Sequence, residues 1–190
     1  MPRQSALSSP LVSEVRTIRR SLPLFAALLV AGCSSTPRPA TPAQANLPGF
    51  PAPGSCHAYG ALPDPSCTPG VTNPEVTLEN IFQTICVAGW TKTIRPPTSY
   101  TNALKLRQMA EYGLQDLPPS AVEEDHLIPL AVGGHPTDPR NLWPEPWDGP
   151  DGAHAKDRIE NALHRLVCSG QMTLEEAQRR IRTDWTTALP

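Results

Sequence analysis

The sequence contains few aromatic or charged residues and has no long apolar run. Aromatic residues make up 5 % of its 190 residues and charged residues 18 %. The one apolar run worth considering, residues 22–32, is about half the ~20 residues that span a bilayer, so a polytopic membrane protein is excluded. A net charge of −2 excludes a strongly basic, histone-like binder. Neither HExxH nor GxSxG occurs, so zincin proteases and serine hydrolases lack their usual signatures.

Proline, by contrast, is abundant. It accounts for 24 of the 190 residues, whereas an average chain contains about 5 %. Prolines at that density cannot be distributed through helices and sheets, so part of the chain must be irregular. Ten of them lie in residues 34–75. We therefore predict an extended, proline-rich tether over residues 33–75 and a folded domain over residues 76–190.

The N-terminal segment has the pattern of an export signal. Arginines precede the apolar run, which ends in small residues, as in a secretory signal peptide. The sequence Val30-Ala31-Gly32-Cys33 resembles the lipobox of bacterial lipoproteins. That resemblance implies a signal peptide over residues 1–32, a lipid on Cys33 and, with Ser34 next, an outer-membrane protein facing the periplasm. The alternative is an ordinary signal, or a buried helix, that ends in a free cysteine.

Removal of the signal peptide would make the protein acidic. Residues 1–32 contain four arginines and one glutamate, so the remaining chain has a net charge of −5. A protein with this charge has no overall electrostatic attraction to the phosphates of nucleic acids.

Four cysteines remain when Cys33 is set aside. An even number in an exported chain suggests two disulfides, for which three pairings are possible. We favour Cys56–Cys67, which closes a short proline-rich loop, together with Cys86–Cys168, which ties the first helix of the domain to its penultimate helix. A zinc site is the rival interpretation, but no two cysteines have the close spacing of zinc ligands.

The domain has the pattern of an α+β fold. The last helix is the clearest, because Thr173 and Glu176 have the spacing of a capping box. A loop containing Gly133-Gly134 separates two predicted strands. The predicted helices cover residues 77–86, 99–112, 151–168 and those from 174 onward, and the predicted strands cover residues 121–130 and 141–143. This order of helices, a β-hairpin and further helices defines the class.

One constellation in the hairpin suggests chemistry. Asp125-His126 is followed by Pro129, by Gly133-Gly134 and then by Asn141-Leu142. This pattern resembles the core of HNH, or His-Me finger, nucleases. More closely, residues 84–185 resemble a family of bacterial exported HNH-like proteins. The resemblance implies a small ββα-metal core embedded among helices, and metal-dependent hydrolysis of the phosphodiester bonds of DNA or RNA.

The same resemblance assigns roles to individual residues. His126 is expected to be the general base, because a histidine with a near-neutral pKa can deprotonate water. Asp125 is expected to bind a divalent cation, with Mg²⁺ the first choice, which would stabilise charge on the phosphate. Asn141 is expected to brace the loop that positions the histidine. Lys156 is expected to contact the phosphate.

The third position of the HNH pattern completes the metal site at the start of the final helix of the core, and its alignment here is ambiguous. His154 is the nearest candidate by residue type, whereas counting back from Lys156 places Ala153 there. Asp157, one helical turn on, is a possible substitute. Because of its residue type, we expect His154 to be the second metal ligand.

Strand geometry raises a further question, since neighbouring residues on a regular strand point to opposite faces. Asp125 and His126 can converge on one metal ion only if the strand is irregular there. In a regular strand Glu123 shares a face with Asp125, and Glu124 shares one with His126, so either could supplement the site.

Two functions remain open at this point. The first is a metal-dependent nuclease tethered in the periplasm by its lipid anchor. The second is a non-catalytic envelope lipoprotein that uses an HNH-like scaffold for binding. Metal binding at Asp125 and His126 would favour the first.

Overall fold

The structure of the protein is a computed structural model, which describes residues 49–190. These residues form a small α+β fold in which helices precede and follow a two-stranded antiparallel hairpin, as predicted. The helices are α1 (Trp90–Ile94), α2 (Thr98–Glu111), α3 (Ala153–Cys168) and α4 (Leu174–Asp184), and the strands are β1 (Val122–His126) and β2 (Leu142–Pro146). The predicted signal peptide and lipid-bearing Cys33 lie outside the described residues.

The hairpin is shorter than predicted at its first strand and longer at its second. Val122 pairs with Pro146, and His126 pairs with Leu142. Just beyond His126 the ladder ends, because the Ile128 N–H donates to the Asn141 side chain and Pro129 has no N–H to donate. The connecting loop then folds back tightly at Gly134, where a Cβ atom would lie 1.7 Å from the carbonyl oxygen of Ile128. Only glycine fits this close approach.

Local sequence signals predicted the positions of three helices to within a few residues. Helix α2 ends just before Gly113, which has a φ of +69°. The Thr173 hydroxyl caps α4 by accepting a hydrogen bond from the backbone N–H of Glu176 at 3.1 Å. Helix α3 ends at Cys168 as predicted but begins at Ala153, with Gly152 rather than Asp151 at the N-cap.

The prediction of a helix over residues 77–86 is wrong. This segment is a succession of turns. The Asn80 side chain explains the difference, because it accepts from the backbone N–H of Thr77 and donates to the carbonyl of Glu75, both at 2.9 Å. Such local side-chain bonds compete with the helical backbone pattern.

Both disulfides have the favoured pairing, Cys56–Cys67 and Cys86–Cys168. The first disulfide draws the end of the proline-rich segment into the fold, where Cys56 is fully buried. Further along, the carbonyl of Ala61 accepts a 2.8 Å hydrogen bond from the indole N–H of Trp185. The folded domain therefore begins well before residue 76, which corrects the predicted boundary of the tether.

The main core lies where α3 and α4 meet the hairpin loop and the segment of turns. Its large, fully buried apolar members include Ile85, Ile128, Leu163, Val167 and Ile181. Within residues 49–190, no helix is long and apolar enough to cross a membrane.

Candidate active site at the end of the hairpin

His126 is the last residue of β1 and is only 5 % exposed. Its Nε2 lies 3.0 Å from the carbonyl oxygen of Pro136, in the loop that follows the strand. Because a carbonyl can only accept, Nε2 carries the proton and Nδ1 has a free lone pair. Among the described residues Nδ1 has no hydrogen-bond partner.

The surroundings of His126 favour its neutral form. Burial lowers its pKa below 6.5, and the positive charges of Lys156 and Arg95 lower it further. The Pro136 carbonyl and Asp125 raise the pKa, but their effect is smaller and the pKa of His126 remains lowered. At neutral pH the ring is therefore uncharged and can accept a proton at Nδ1. Arg95, just after α1, is exposed, so its guanidinium is also available to a ligand.

Asn141 holds the loop that positions His126. The side chain is fully buried, and its amide oxygen accepts from the backbone N–H groups of Ile128 and Val71 at 3.1 and 3.2 Å. Its amide nitrogen donates to the carbonyls of Ile128 and His135, both at 3.0 Å. These bonds close the loop on itself directly beside Pro136. The Asn141 amide therefore joins Val71, Ile128 and His135 through the backbone of each.

Lys156 lies in the first turn of α3 with its side chain completely buried. Its ammonium group donates to the Asp125 carboxylate at 2.5 Å, to the Glu160 carboxylate at 2.6 Å and to the carbonyl of His126 at 2.8 Å. All three of its protons are used. Burial alone would lower the pKa of Lys156, but Asp125, Glu160 and Glu145 raise it above its ordinary value, so the group stays charged.

This position corrects the expectation that Lys156 contacts a phosphate. The ammonium faces inward, has no exposed surface and has protein acceptors for every proton. A residue held this way can position the groups that it binds, namely Asp125 and the backbone of His126, but it has no proton left for a substrate.

A third acidic side chain completes the surroundings of the ammonium. Glu145, on β2, is fully buried, and one of its carboxyl oxygens lies 3.8 Å from Nζ of Lys156. Neither oxygen receives a hydrogen bond from any described residue. Burial raises the pKa of Glu145 to about 10, so it is neutral at pH 7 and can share its proton with Asp125 beside it.

The side chains of the other two acidic residues of β1 lie on opposite faces of the strand, as the alternation of a regular strand requires. Glu123 lies on the side of Asp125 and Lys156, and burial with these neighbouring acids raises its pKa to about 7. Glu124 lies instead near Lys105 and Glu111 of α2. Its two oxygens are buried without a partner, and burial raises its pKa to about 9.

Asp125 and His126 follow the same rule. The Asp125 carboxylate contacts Lys156, whereas the ring of His126 contacts Pro136. His154, the expected second metal ligand, is exposed, and its ring packs on Trp147 with the centroids 5.2 Å apart. Residues 49–190 contain no group of three histidine, cysteine, aspartate or glutamate side chains arranged to hold a metal ion.

The fit of a divalent cation to these residues is therefore poor as they stand. The carboxylate of Asp125 faces a buried ammonium at hydrogen-bonding distance, and a second cation at the same oxygens would be repelled by that charge. Any step through a metal ion at Asp125 would first require Lys156 to leave.

The sequence analysis did not identify three residues that contribute to this site. Glu160 is four residues after Lys156, a spacing that pairs side chains on a helix and could have signalled the contact. Glu145 contributes because β2 pairs with β1 in a register that places it opposite Glu123. The sequence alone does not show this register. Arg95 is brought near His126 by the tertiary fold alone.

No protein-family model, curated protein or solved structure matches this chain. The geometry of the site and the resemblance in its motifs therefore carry the functional argument.

Proposed function

We propose that this protein hydrolyses phosphodiester bonds of nucleic acid, with His126 as the general base. The observation that carries the proposal is the arrangement of its ring. Nε2–H is held by the Pro136 carbonyl, and Nδ1 is uncharged and has no hydrogen-bond partner among the described residues. A histidine fixed in one tautomer with its other nitrogen free is prepared to accept a proton.

The proposed reaction needs a water molecule between Nδ1 and the phosphorus atom. The water oxygen attacks phosphorus while Nδ1 accepts one of its protons. The bond from phosphorus to the leaving oxygen breaks, and that oxygen takes a proton from solvent or from the imidazolium. Asn141 and Lys156 act as positioning residues, because they fix the loop and the backbone around His126.

Phosphate charge also has to be neutralised, and the exposed Arg95 supports this part of the proposal. The charge of Arg95 lowers the pKa of His126, so a phosphate bound to its guanidinium would lie within electrostatic range of the ring. A guanidinium also matches the geometry of phosphate oxygens. Arg95 thus takes the phosphate-binding role that the sequence had suggested for Lys156.

We further propose that the protein acts as a lipoprotein of the bacterial envelope. The lipobox-like residues around Cys33 support a lipid anchor. Two disulfides in a chain of this size support an oxidising compartment such as the periplasm.

The test is nucleic-acid cleavage by the full chain produced under oxidising conditions. Supercoiled plasmid and single-stranded RNA are incubated with the parent protein, with His126→Ala and with His57→Ala, a control at an exposed histidine. Each reaction is run with Mg²⁺, with Mn²⁺ and with EDTA.

We expect His126→Ala to lower cleavage by at least about 10²-fold, the usual contribution of a general base, and His57→Ala to leave it unchanged. Equal cleavage by the parent and His126→Ala would refute the assignment. No cleavage by the folded parent under any condition would favour the non-catalytic alternative, a lipoprotein that uses this scaffold for binding.

A further inference from the structure

We propose that His135 is a positioning residue of this site, which orients the ring of His126 through a single peptide group. That group joins Pro136 to Thr137. Its carbonyl accepts a hydrogen bond from His126, and its N–H donates one to His135. The link between the two rings is a feature of the fold in its own right, whereas its value for catalysis rests on the proposed function.

The rigidity of the peptide group is what couples the two histidines. Because residue 137 is not a proline, the bond is trans and planar, so its C=O and N–H point in opposite directions and turn together. The Pro136 oxygen lies 3.0 Å from Nε2 of His126. The Thr137 nitrogen lies 3.2 Å from Nδ1 of His135. The bond to His135 therefore fixes the direction in which the carbonyl faces His126.

The ring of His135 is itself held in place. Its Nδ1 also accepts from the backbone N–H of Asp138, at 2.9 Å. An imidazole nitrogen that accepts two hydrogen bonds carries no proton, so the proton of the neutral ring is on Nε2. The backbone N–H of His135 donates to the Val71 carbonyl at 2.8 Å, and its carbonyl accepts from the Asn141 amide at 3.0 Å. The ring is thus attached to a fixed stretch of backbone.

The rest of the turn offers no substitute for the bond to His135. Among the described residues, the N–H of Thr137 has no other hydrogen-bond partner. Pro136 has no N–H of its own. The Tyr100 hydroxyl donates to the carbonyl of Thr137, which belongs to the next peptide group. Loss of the acceptor on His135 therefore lets the Pro136 carbonyl turn, and Nε2 of His126 loses its fixed partner.

Asparagine provides a sharp test, because its Oδ1 is bonded to Cγ just as Nδ1 is in histidine. An asparagine side chain commonly accepts from the backbone N–H two residues on, so His135→Asn keeps the acceptor. His135→Phe keeps a ring and removes the acceptor, and His135→Ala removes both. His57→Phe is the matched control, at an exposed histidine outside this turn.

Two measurements are made at pH 7.5 on the full chain produced under oxidising conditions. Long-range ¹H–¹⁵N correlation spectra show which ring nitrogen of His126 carries the proton. Steady-state cleavage of a labelled oligonucleotide gives kcat and KM. We expect the parent, His57→Phe and His135→Asn to keep the His126 proton on Nε2 and to share one kcat.

The two variants without an acceptor should differ from these in both measurements. In His135→Phe and His135→Ala we expect the proton of His126 to be divided between Nε2 and Nδ1. We expect kcat to fall by about 10²-fold, the effect of misplacing a reacting group by about 1 Å. KM should stay unchanged, because Arg95, the proposed phosphate contact, is not altered.

Three results would overturn the inference. The first is a folded His135→Phe or His135→Ala that keeps the His126 proton on Nε2 alone. The second is a His135→Asn that divides the proton or unfolds, since the acceptor would then not be the decisive property. The third is unfolding of both His135→Phe and His135→Ala, since His135 would then hold the domain rather than the ring. The spectra do not depend on cleavage, so a parent that does not cleave but responds as expected contradicts only the proposed function.

Discussion

Substitution of Asn141 by alanine tests whether one buried amide holds the loop beside His126. The side chain is fully buried and makes four hydrogen bonds to the backbone, two accepted and two donated. Each such bond contributes about 0.5 to 1.5 kcal/mol net, and backbone groups orphaned by the substitution add a desolvation cost. We expect Asn141→Ala to lower the free energy of unfolding by about 3 to 5 kcal/mol.

The measurement is urea denaturation of the full chain, followed by tryptophan fluorescence under oxidising conditions. Asn102→Ala is the matched control, because Asn102 is exposed on α2 and its loss should change stability by no more than about 0.5 kcal/mol. A loss below about 1 kcal/mol for Asn141→Ala, with an unchanged denaturant slope, would refute the reasoning. The loop would then hold its conformation without the amide.

Two other features of the fold give predictions of known sign. The Cys86–Cys168 disulfide joins residues 82 positions apart, whereas Cys56–Cys67 joins residues 11 positions apart. Because the longer loop loses more chain entropy on closure, Cys86→Ser should lower the free energy of unfolding by about 4.5 kcal/mol and Cys56→Ser by about 2.8 kcal/mol. Equal losses in urea denaturation would contradict this. Burial raises the pKa of Glu124 to about 9, so the folded state keeps a proton that the unfolded state releases above its ordinary pKa of 4.5. Stability should therefore fall as pH rises between these values, by up to about 1.4 kcal/mol per pH unit. Glu124→Gln should reduce this slope between pH 5 and pH 8 in urea denaturation, while the raised pKa values of Glu145 and Glu123 maintain the remainder. An unchanged slope would show that Glu124 is ionised in the folded protein.

Local signals in the sequence predicted most of the helices and both disulfides. Gly113 and Thr173 mark helix ends through their own backbone or side-chain chemistry, which is independent of the rest of the fold. The same reasoning failed over residues 77–86, where the apolar spacing suggested a helix. There the bonds that Asn80 makes to nearby backbone groups favour turns.

The site was only half predictable, for a physical reason. The positions of His126 and Asn141 follow from a contiguous motif whose loop closes locally. The environment of Lys156 depends on acids from β1, β2 and α3 that meet only in the folded chain. A lysine is rarely fully buried unless it is paired, and the sequence does not show the pairing partners.

The pH dependence of cleavage tests the central claim, that neutral His126 accepts the proton of the attacking water. Single-turnover cleavage of an end-labelled oligonucleotide would be measured from pH 4.5 to 8 for the parent and His126→Ala. Because burial lowers the pKa of His126, we predict that the parent rate rises with the loss of one proton at a midpoint below 6.5 and is level above it. His126→Ala should lack this step and be slower by at least about 10²-fold. A parent profile without the step, or an identical step in His126→Ala, would contradict the account.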